Sequence, residues 1–303
     1  MLLLLLATLA SCGRRSAKPQ AAAEPSRPRV FLPALAPSGL SPEGQRDYLR
    51  LRYWDRFDFA DTLFLREADT LQLLEAFARY VVLLSEHPTD AAPMDSLMRR
   101  ASASRPMLDY FAMLAGEVLH DPNSPLRNVE FYIPVLQAQL ASGFYDEYER
   151  LAPEYALRMA SQNRIGARAN DFRYTLASGR SGTLYGLQAE YVLLFISNPG
   201  CPMCREIREA IEASPMCSEL VERGRLKILV LYPDEDLAAW RAYADRIPAG
   251  WINAYDAGCV VREEGLYDLA AIPSLYLLDA DKRVLVKDAA DVALVEAAID
   301  GRP

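Results

Sequence analysis

Histidine is nearly absent. The chain of 303 residues has two, His87 and His120. That leaves little material for a His-based metal site. His87 precedes Pro88 in a loop-like stretch and His120 ends a helical stretch beside Asp121. Both read as surface or capping groups. Basic charge is also short: 33 Lys+Arg stand against 41 Asp+Glu, a net of −8. The deficit is uneven, because residues 171–303 hold 14 basic and 21 acidic side chains, a net of −7. A general nucleic-acid binder needs a basic face, since phosphate neutralisation supplies most non-specific affinity. No nucleic-acid partner is therefore expected. No run reaches the ~20 apolar residues that a membrane-crossing helix needs. What is present is an ordinary globular balance, 51% hydrophobic and 24% charged. It excludes a wholly disordered chain and a collagen-like repeat. At roughly 150 residues per domain, the length fits two domains.

Residues 1–10 read MLLLLLATLA. The run is too short to span a bilayer and fits the apolar part of a secretory signal. Leu9-Ala10-Ser11-Cys12 follows without an A-x-A cleavage site. This resembles the lipobox of bacterial lipoproteins, in which the cysteine is lipidated and becomes the mature N-terminus. The resemblance implies a signal over 1–11, lipid attachment at Cys12 and a place in the cell envelope. With no acidic residue beside Cys12, it also implies the outer membrane, facing the periplasm. Residues 12–41 are rich in Ala, Pro, Ser and Arg. Such a composition buries too little apolar surface to offset chain entropy, and predicts a flexible tether.

Over 42–165 the apolar spacing predicts an all-α domain. Leu73, Leu74, Phe77, Tyr80, Val81 and Leu84 recur at steps of three and four after Asp69-Thr70, which can cap. Met94, Leu97, Met98 and Ala101 form a second stripe. Leu108, Phe111, Met113, Leu114, Val118 and Leu119 form a third, closed by the turn cluster Asp121-Pro122-Asn123-Ser124-Pro125. Two more helices are predicted over Leu126–Ala141 and Tyr145–Gln162, bent or broken at Pro134 and Pro153. The aromatic run Tyr53-Trp54-Asp55-Arg56-Phe57-Asp58-Phe59 reads as core filling for this domain.

The pattern changes near Gly166. Asp171–Leu176, a Gly/Ser turn and Thr183-Leu184-Tyr185 predict a hairpin. Tyr191–Ile196 is a continuous apolar run, as in a strand buried on both faces. Ser197-Asn198-Pro199-Gly200 breaks it, and Cys201-Pro202-Met203-Cys204 opens a helix. Further strands are predicted over Leu226–Tyr232, Trp251–Tyr255, Ser274–Asp279 and Arg283–Lys287. Helices are predicted over Asp236–Tyr243, Val260–Leu269 and Val292–Ile299. After the hairpin the order is β-α-β-α-β-α-β-β-α.

The position of the dithiol carries the chemistry. Cys201 falls at the helix N-cap and Pro202 at the first helical position, where a missing N–H costs nothing. Unpaired backbone N–H groups and the positive end of the helix dipole face that first sulfur and favour its anionic form. Cys204 lies one turn deeper, placed to resolve a mixed disulfide. A structural zinc site would need two further ligands, which are missing. A structural disulfide closing so short a loop would contribute little. The spacing therefore points to redox chemistry with no bound cofactor, the redox group being the Cys201–Cys204 disulfide itself.

Residues 166–303 resemble a thioredoxin-like domain of the TlpA type. Ile165–Phe172 is similar to that group's entry segment, and Cys201-Pro202-Met203-Cys204 occupies the dithiol position. Ile272-Pro273 stands where the family has its cis-proline. The resemblance implies a thiol–disulfide oxidoreductase acting on protein or peptide disulfides, served by a separate redox partner. It assigns Pro273 to presenting the substrate backbone. Two departures stand out. Pro199-Gly200 replaces the tryptophan often found before the first cysteine. The strand before the dithiol also lacks the buried acid of thioredoxins proper. The helical segment resembles a domain of unknown function found ahead of such domains in lipoproteins, which suggests an architecture but no chemistry. A binding protein with an idle dithiol is the alternative. Cys217 and Cys259 either bridge each other in an oxidising compartment or stay as two buried thiols.

Overall fold

The computed structural model describes residues 29–301. The signal run, Cys12 and most of the expected tether lie outside the described residues. The first half is helical: α1 (Pro42–Arg52), α2 (Phe64–Glu67), α3 (Thr70–Leu84), α4 (Ala92–Ala101), α5 (Arg105–Ala115), α6 (Val129–Ala141) and α7 (Leu151–Ala160). Polar side chains start four of these helices by accepting from first-turn amides. Ser41 caps α1, Asp69 caps α3, Ser104 caps α5 and Asn128 caps α6. A π-helical turn, Gly116–His120, extends α5 before the Asp121–Pro125 cluster stops it. Pro153 is the third residue of α7, where no intrahelical donor is lost, so the helix expected from Tyr145 begins only at Leu151. Pro134 lies inside α6 without interrupting it. One internal bond is lost there, and the buried Phe131, Ile133, Val135 and Leu136 hold the helix on both sides.

The aromatic run fills the core as expected. Tyr53, Trp54, Phe57 and Phe59 are all buried. Trp54 meets Phe111 edge-on at 5.2 Å, and Phe57 meets it edge-on at 5.4 Å. The tether reading needs correction. Of residues 12–41, those from Arg29 to Ala34 pack on the helices. Phe31 stacks on Trp54 at 4.6 Å. The Gln72 amide donates to the Phe31 carbonyl (2.8 Å) and accepts from its N–H (3.1 Å). Burying one such ring is worth about 1.5–3 kcal/mol. Average composition hides that local gain.

The second half is one seven-stranded mixed sheet: β1 (Arg173–Leu176), β2 (Ser181–Thr183), β3 (Tyr191–Ile196), β4 (Leu226–Tyr232), β5 (Ile252–Tyr255), β6 (Ser274–Asp279) and β7 (Val284–Ala289). Their order across the sheet is β2-β1-β5-β4-β3-β6-β7. β3, β4 and β5 are parallel, while β6 runs antiparallel to β3. β3 is wholly buried, as its unbroken apolar run predicts. Its Tyr191, Leu193 and Phe195 face one core with α8 (Pro202–Ala213), α9 (Pro215–Glu222) and α12 (Val292–Asp300). Val192, Leu194 and Ile196 face the other core. Beyond β4 come α10 (Leu237–Tyr243) and, after β5, α11 (Val260–Glu263). The helix expected over Val260–Leu269 stops at Glu263. Gly265 adopts φ +60°, and Leu266 N–H closes back on the Val261 carbonyl. That left-handed residue ends the helix.

The two halves are joined through specific polar contacts. Asn163 Nδ2 donates to the Leu266 carbonyl at 2.7 Å, and its Oδ1 accepts from the Asn170 N–H at 2.7 Å. Lys287 Nζ donates to the Ala160 and Gln162 carbonyls at the end of α7, at 2.7 and 2.6 Å. His120 stacks face to face on Tyr132 at this boundary. Phe111→Ala empties the middle of the aromatic core and should cost about 3–5 kcal/mol, read as a lowered urea midpoint of the helical half by far-UV circular dichroism. A midpoint within error of wild type would mean the rings are not the stabilising core.

Candidate active site

β3 ends at Ile196, and the turn Ser197–Gly200 hands the chain to α8. Gly200 takes φ +79°, a conformation that a side chain would strain. Cys201 is the N-cap of α8, and its sulfur does the work of a capping oxygen. Sγ accepts from the Cys204 N–H at 3.1 Å. Pro202 occupies the first helical position. Cys201 is half-buried, whereas Cys204 is 2% exposed. The outer sulfur is therefore reachable and the inner one sits beneath it against the core of β3, Ile207 and Leu275.

Across from the dithiol lies the start of β6. The Ile272–Pro273 peptide is cis, and Cys201 Sγ lies 3.9 Å from the Ile272 carbonyl oxygen. Three residues singled out from sequence, Cys201, Cys204 and Pro273, thus meet at one end of the sheet. β3 and β6 are antiparallel neighbours with Ile196 paired to Ser274. The end of one strand and the start of the other therefore share an edge. That pairing brings residues 71 positions apart into contact.

Burial pushes the Cys204 thiol up to about 12, reinforced by the neighbouring Cys201 sulfur. The Asn198 N–H and the Ser197 hydroxyl pull the other way. Ser197 is itself buried. Neither residue was identified from sequence as belonging to the site, although both lie in the turn that leads into the motif. Asn198 Nδ2 also donates to Asp234 at 2.8 Å, and Arg262 pairs with the same carboxylate. This network ties the turn to the loop after β4.

Cys217 and Cys259 stay out of the site and away from each other. Cys217 opens α9, beyond the twelve residues of α8, with its N–H bonded to Ser214 Oγ at 3.1 Å. Cys259 precedes α11 after β5, near Asp234, Glu235 and Asp256. Both are buried and unbridged in this structure. Cys217 lines a cavity with Ile228, Pro248 and Trp251, ahead of β5, whereas Cys259 follows the end of β5. Among the described residues, no group of three or more His, Cys, Asp or Glu side chains is arranged to hold a metal ion. Nor is any helix among them long and apolar enough to cross a membrane.

Residues 15–163 match a family described as Domain of unknown function (DUF5106). The whole chain is similar to a thioredoxin-like protein from Bacteroides caccae, at 40% identity and a TM-score of 0.84. The match covers 90% of this chain and 99% of that one. The C-terminal domain of an uncharacterized protein from Bacteroides fragilis is 47% identical over 46% of this chain and 98% of its own, with a TM-score of 0.44. The thioredoxin domain of a thiol-disulfide oxidoreductase from Bacteroides vulgatus is 17% identical over 46% of this chain and 97% of its own, with a TM-score of 0.41. No curated protein matches.

A thiol raised this far stays protonated through mildly alkaline pH. Iodoacetamide applied to the reduced protein at pH 8 should label Cys201 and spare Cys204, Cys217 and Cys259 until the chain is unfolded. Mass mapping reads the result. Equal labelling of Cys201 and Cys204 in the folded protein would contradict this geometry.

Proposed function

Because the chain belongs to the thioredoxin-like proteins, we propose that it is a thiol–disulfide oxidoreductase acting on protein or peptide disulfides. One observation carries this reading. A half-exposed sulfur caps the first turn of α8, faces the carbonyl beside cis-Pro273, and has a second, buried sulfur directly behind it. A structural disulfide needs none of these features.

The chemistry follows from the positions. Cys201, as a thiolate, attacks one sulfur of a substrate disulfide. The substrate S–S bond breaks, an intermolecular S–S bond forms, and the departing thiolate takes a proton. Only the thiolate is nucleophilic. The Cys204 N–H points at the Cys201 sulfur at 3.1 Å. Cys204 then loses its proton and attacks Cys201 Sγ. The mixed disulfide breaks, the second substrate thiol leaves, and a Cys201–Cys204 disulfide forms. The substrate gains two electrons and the dithiol loses two. A separate thiol partner must return them before the next cycle. Run backwards, the same steps oxidise a substrate. Pro273, which has no N–H of its own, leaves the start of β6 open for a substrate backbone beside Cys201.

The same reading places the chain in the cell envelope. Cys12 would carry the lipid and hold the protein at the outer membrane, facing the periplasm. What supports this is the sequence Leu9-Ala10-Ser11-Cys12 after an apolar run. The acidic balance of the second half disfavours polyanionic partners.

Insulin reduction by dithiothreitol tests the activity. Wild type should accelerate it, and Cys201→Ser should lose all acceleration over dithiothreitol alone. Cys204→Ser should accumulate mixed disulfides with its substrates, visible on non-reducing gels. Equal rates for wild type and Cys201→Ser would instead favour a binding protein with an idle dithiol.

A further inference from the structure

The helical half reaches the substrate edge of the site through one carboxylate. In β7, the three steps from Val286 to Ala289 span what two steps span in β6, from Leu277 to Leu275. This is a β-bulge, and bulges re-aim side chains next to functional sites. Its last residue, Asp288, takes φ +51°, a left-handed conformation that costs a non-glycine residue energy. In a regular strand, Lys287 and Asp288 would point to opposite faces. Here both engage the helical half. Lys287 binds the two carbonyls at the end of α7. Asp288 Oδ2 pairs with Arg127 Nη2 at 2.5 Å. Arg127 belongs to the loop between the π-helical turn and α6.

The other oxygen of Asp288 accepts from Ser274 Oγ at 2.7 Å. Ser274 is fully buried and follows cis-Pro273 directly. Its backbone partner is Ile196, the last residue of β3 before the dithiol turn. A continuous chain of contacts therefore runs from Arg127 through Asp288 and Ser274 to the segment facing Cys201. Asp288 has 12% of its side chain exposed, and Asp268 lies close enough to disfavour its charge. Arg127 is the guanidinium that neutralises it. Removing one partner of such a pair leaves an uncompensated charge in a poorly hydrated place. The carboxylate must then protonate or turn toward water, and Ser274 loses its acceptor.

We propose that Arg127 and Asp288 are positioning residues, through which the helical half holds the Pro273–Ser274 segment in place for a substrate chain beside Cys201. The role in substrate binding rests on the oxidoreductase reading given above. The holding of the segment does not. A cysteine-reactive small molecule needs only the exposed sulfur, whereas a polypeptide must also lie along the edge of β6. Loss of Arg127 should therefore affect peptide substrates and not small reagents.

The test uses the full chain as wild type, Arg127→Ala, Arg127→Lys, Asp288→Asn and Arg79→Ala. Arg79→Ala is the control, because it removes an exposed guanidinium of the helical half that pairs with Glu75 on its own helix and not with Asp288. Amide deuterium exchange is read on peptides covering Ile272–Asp279 and, for comparison, Tyr191–Ile196. Arg127→Ala should raise exchange in the β6 peptide at least about tenfold and leave the β3 peptide near wild type. Arg127→Lys should restore most of the protection, Asp288→Asn should resemble Arg127→Ala, and Arg79→Ala should change neither peptide. In parallel, Arg127→Ala should raise KM for a disulfide peptide while kcat and the iodoacetamide rate at Cys201 stay near wild type. Unchanged exchange in the β6 peptide overturns the proposal whether or not the dithiol is active. So do equal losses in β3 and β6, which would report general unfolding. Insulin reduction that is independent of Cys201, with exchange changed as expected, removes the oxidoreductase reading and leaves the positioning contact standing.

Discussion

A backbone N–H pointing at a sulfur is the contact on which the rest depends. Cys201 Sγ accepts from Cys204 N–H and thereby performs the task that Ser41, Asp69, Ser104 and Asn128 perform with oxygen elsewhere in the chain. A helix that begins on a sulfur has its unpaired amides gathered around that atom. The remaining architecture keeps this atom in place and reachable. β3 is locked on both faces, so the turn Ser197–Gly200 starts from a rigid anchor. Gly200 supplies the left-handed bend that lifts the helix start over the strand end. Cys204 falls on the inner side of the first turn, where burial keeps its proton on. The two thiols thus differ in access and surroundings although they are three residues apart.

The inner thiol has no carboxylate from β3 to take its proton. What surrounds it instead is the Ser197 hydroxyl and the Asn198 amide, the latter residue also joined to Asp234 and Arg262. Those groups are polar and close to the dithiol, but none is a strong base. In the proposed cycle the resolving step is therefore the one that this site assists least. The second distinctive feature is the attachment of the helical half beside the cis-proline edge, by Lys287 and Asp288 on a single bulge. The two halves are not simply strung together. The end of α7 closes onto Lys287 and the loop before α6 onto its neighbour Asp288.

Much of this was legible from local sequence. Tyr191–Ile196 read as a doubly buried strand because six apolar residues in a row leave no solvent face. The CPMC turn was legible because its N-cap, proline and break signals are contiguous. Stripes such as Leu73, Phe77, Tyr80 and Leu84 declared their helices, and the aromatic run declared its core. What was not legible depended on neighbours far along the chain or on single residues inside an average. Phe31 is one ring in a segment of tether-like composition, yet it has a slot beside Trp54. Leu266 and Leu269 extended a helical spacing that Gly265 had already ended. Pro273 entered by family resemblance and not by spacing. The Arg127–Asp288–Ser274 contact joins three separate elements and needs a one-residue register shift in β7, which no periodicity announces.

The most direct measurement is the reduction potential of the Cys201–Cys204 couple in the full chain, set by equilibration with glutathione or dithiothreitol buffers. A reactive dithiol with its outer sulfur exposed at the start of α8 predicts a value within the range of dithiol oxidoreductases, about −270 to −120 mV. A value below about −300 mV, where disulfides that merely brace a fold are found, would contradict the account.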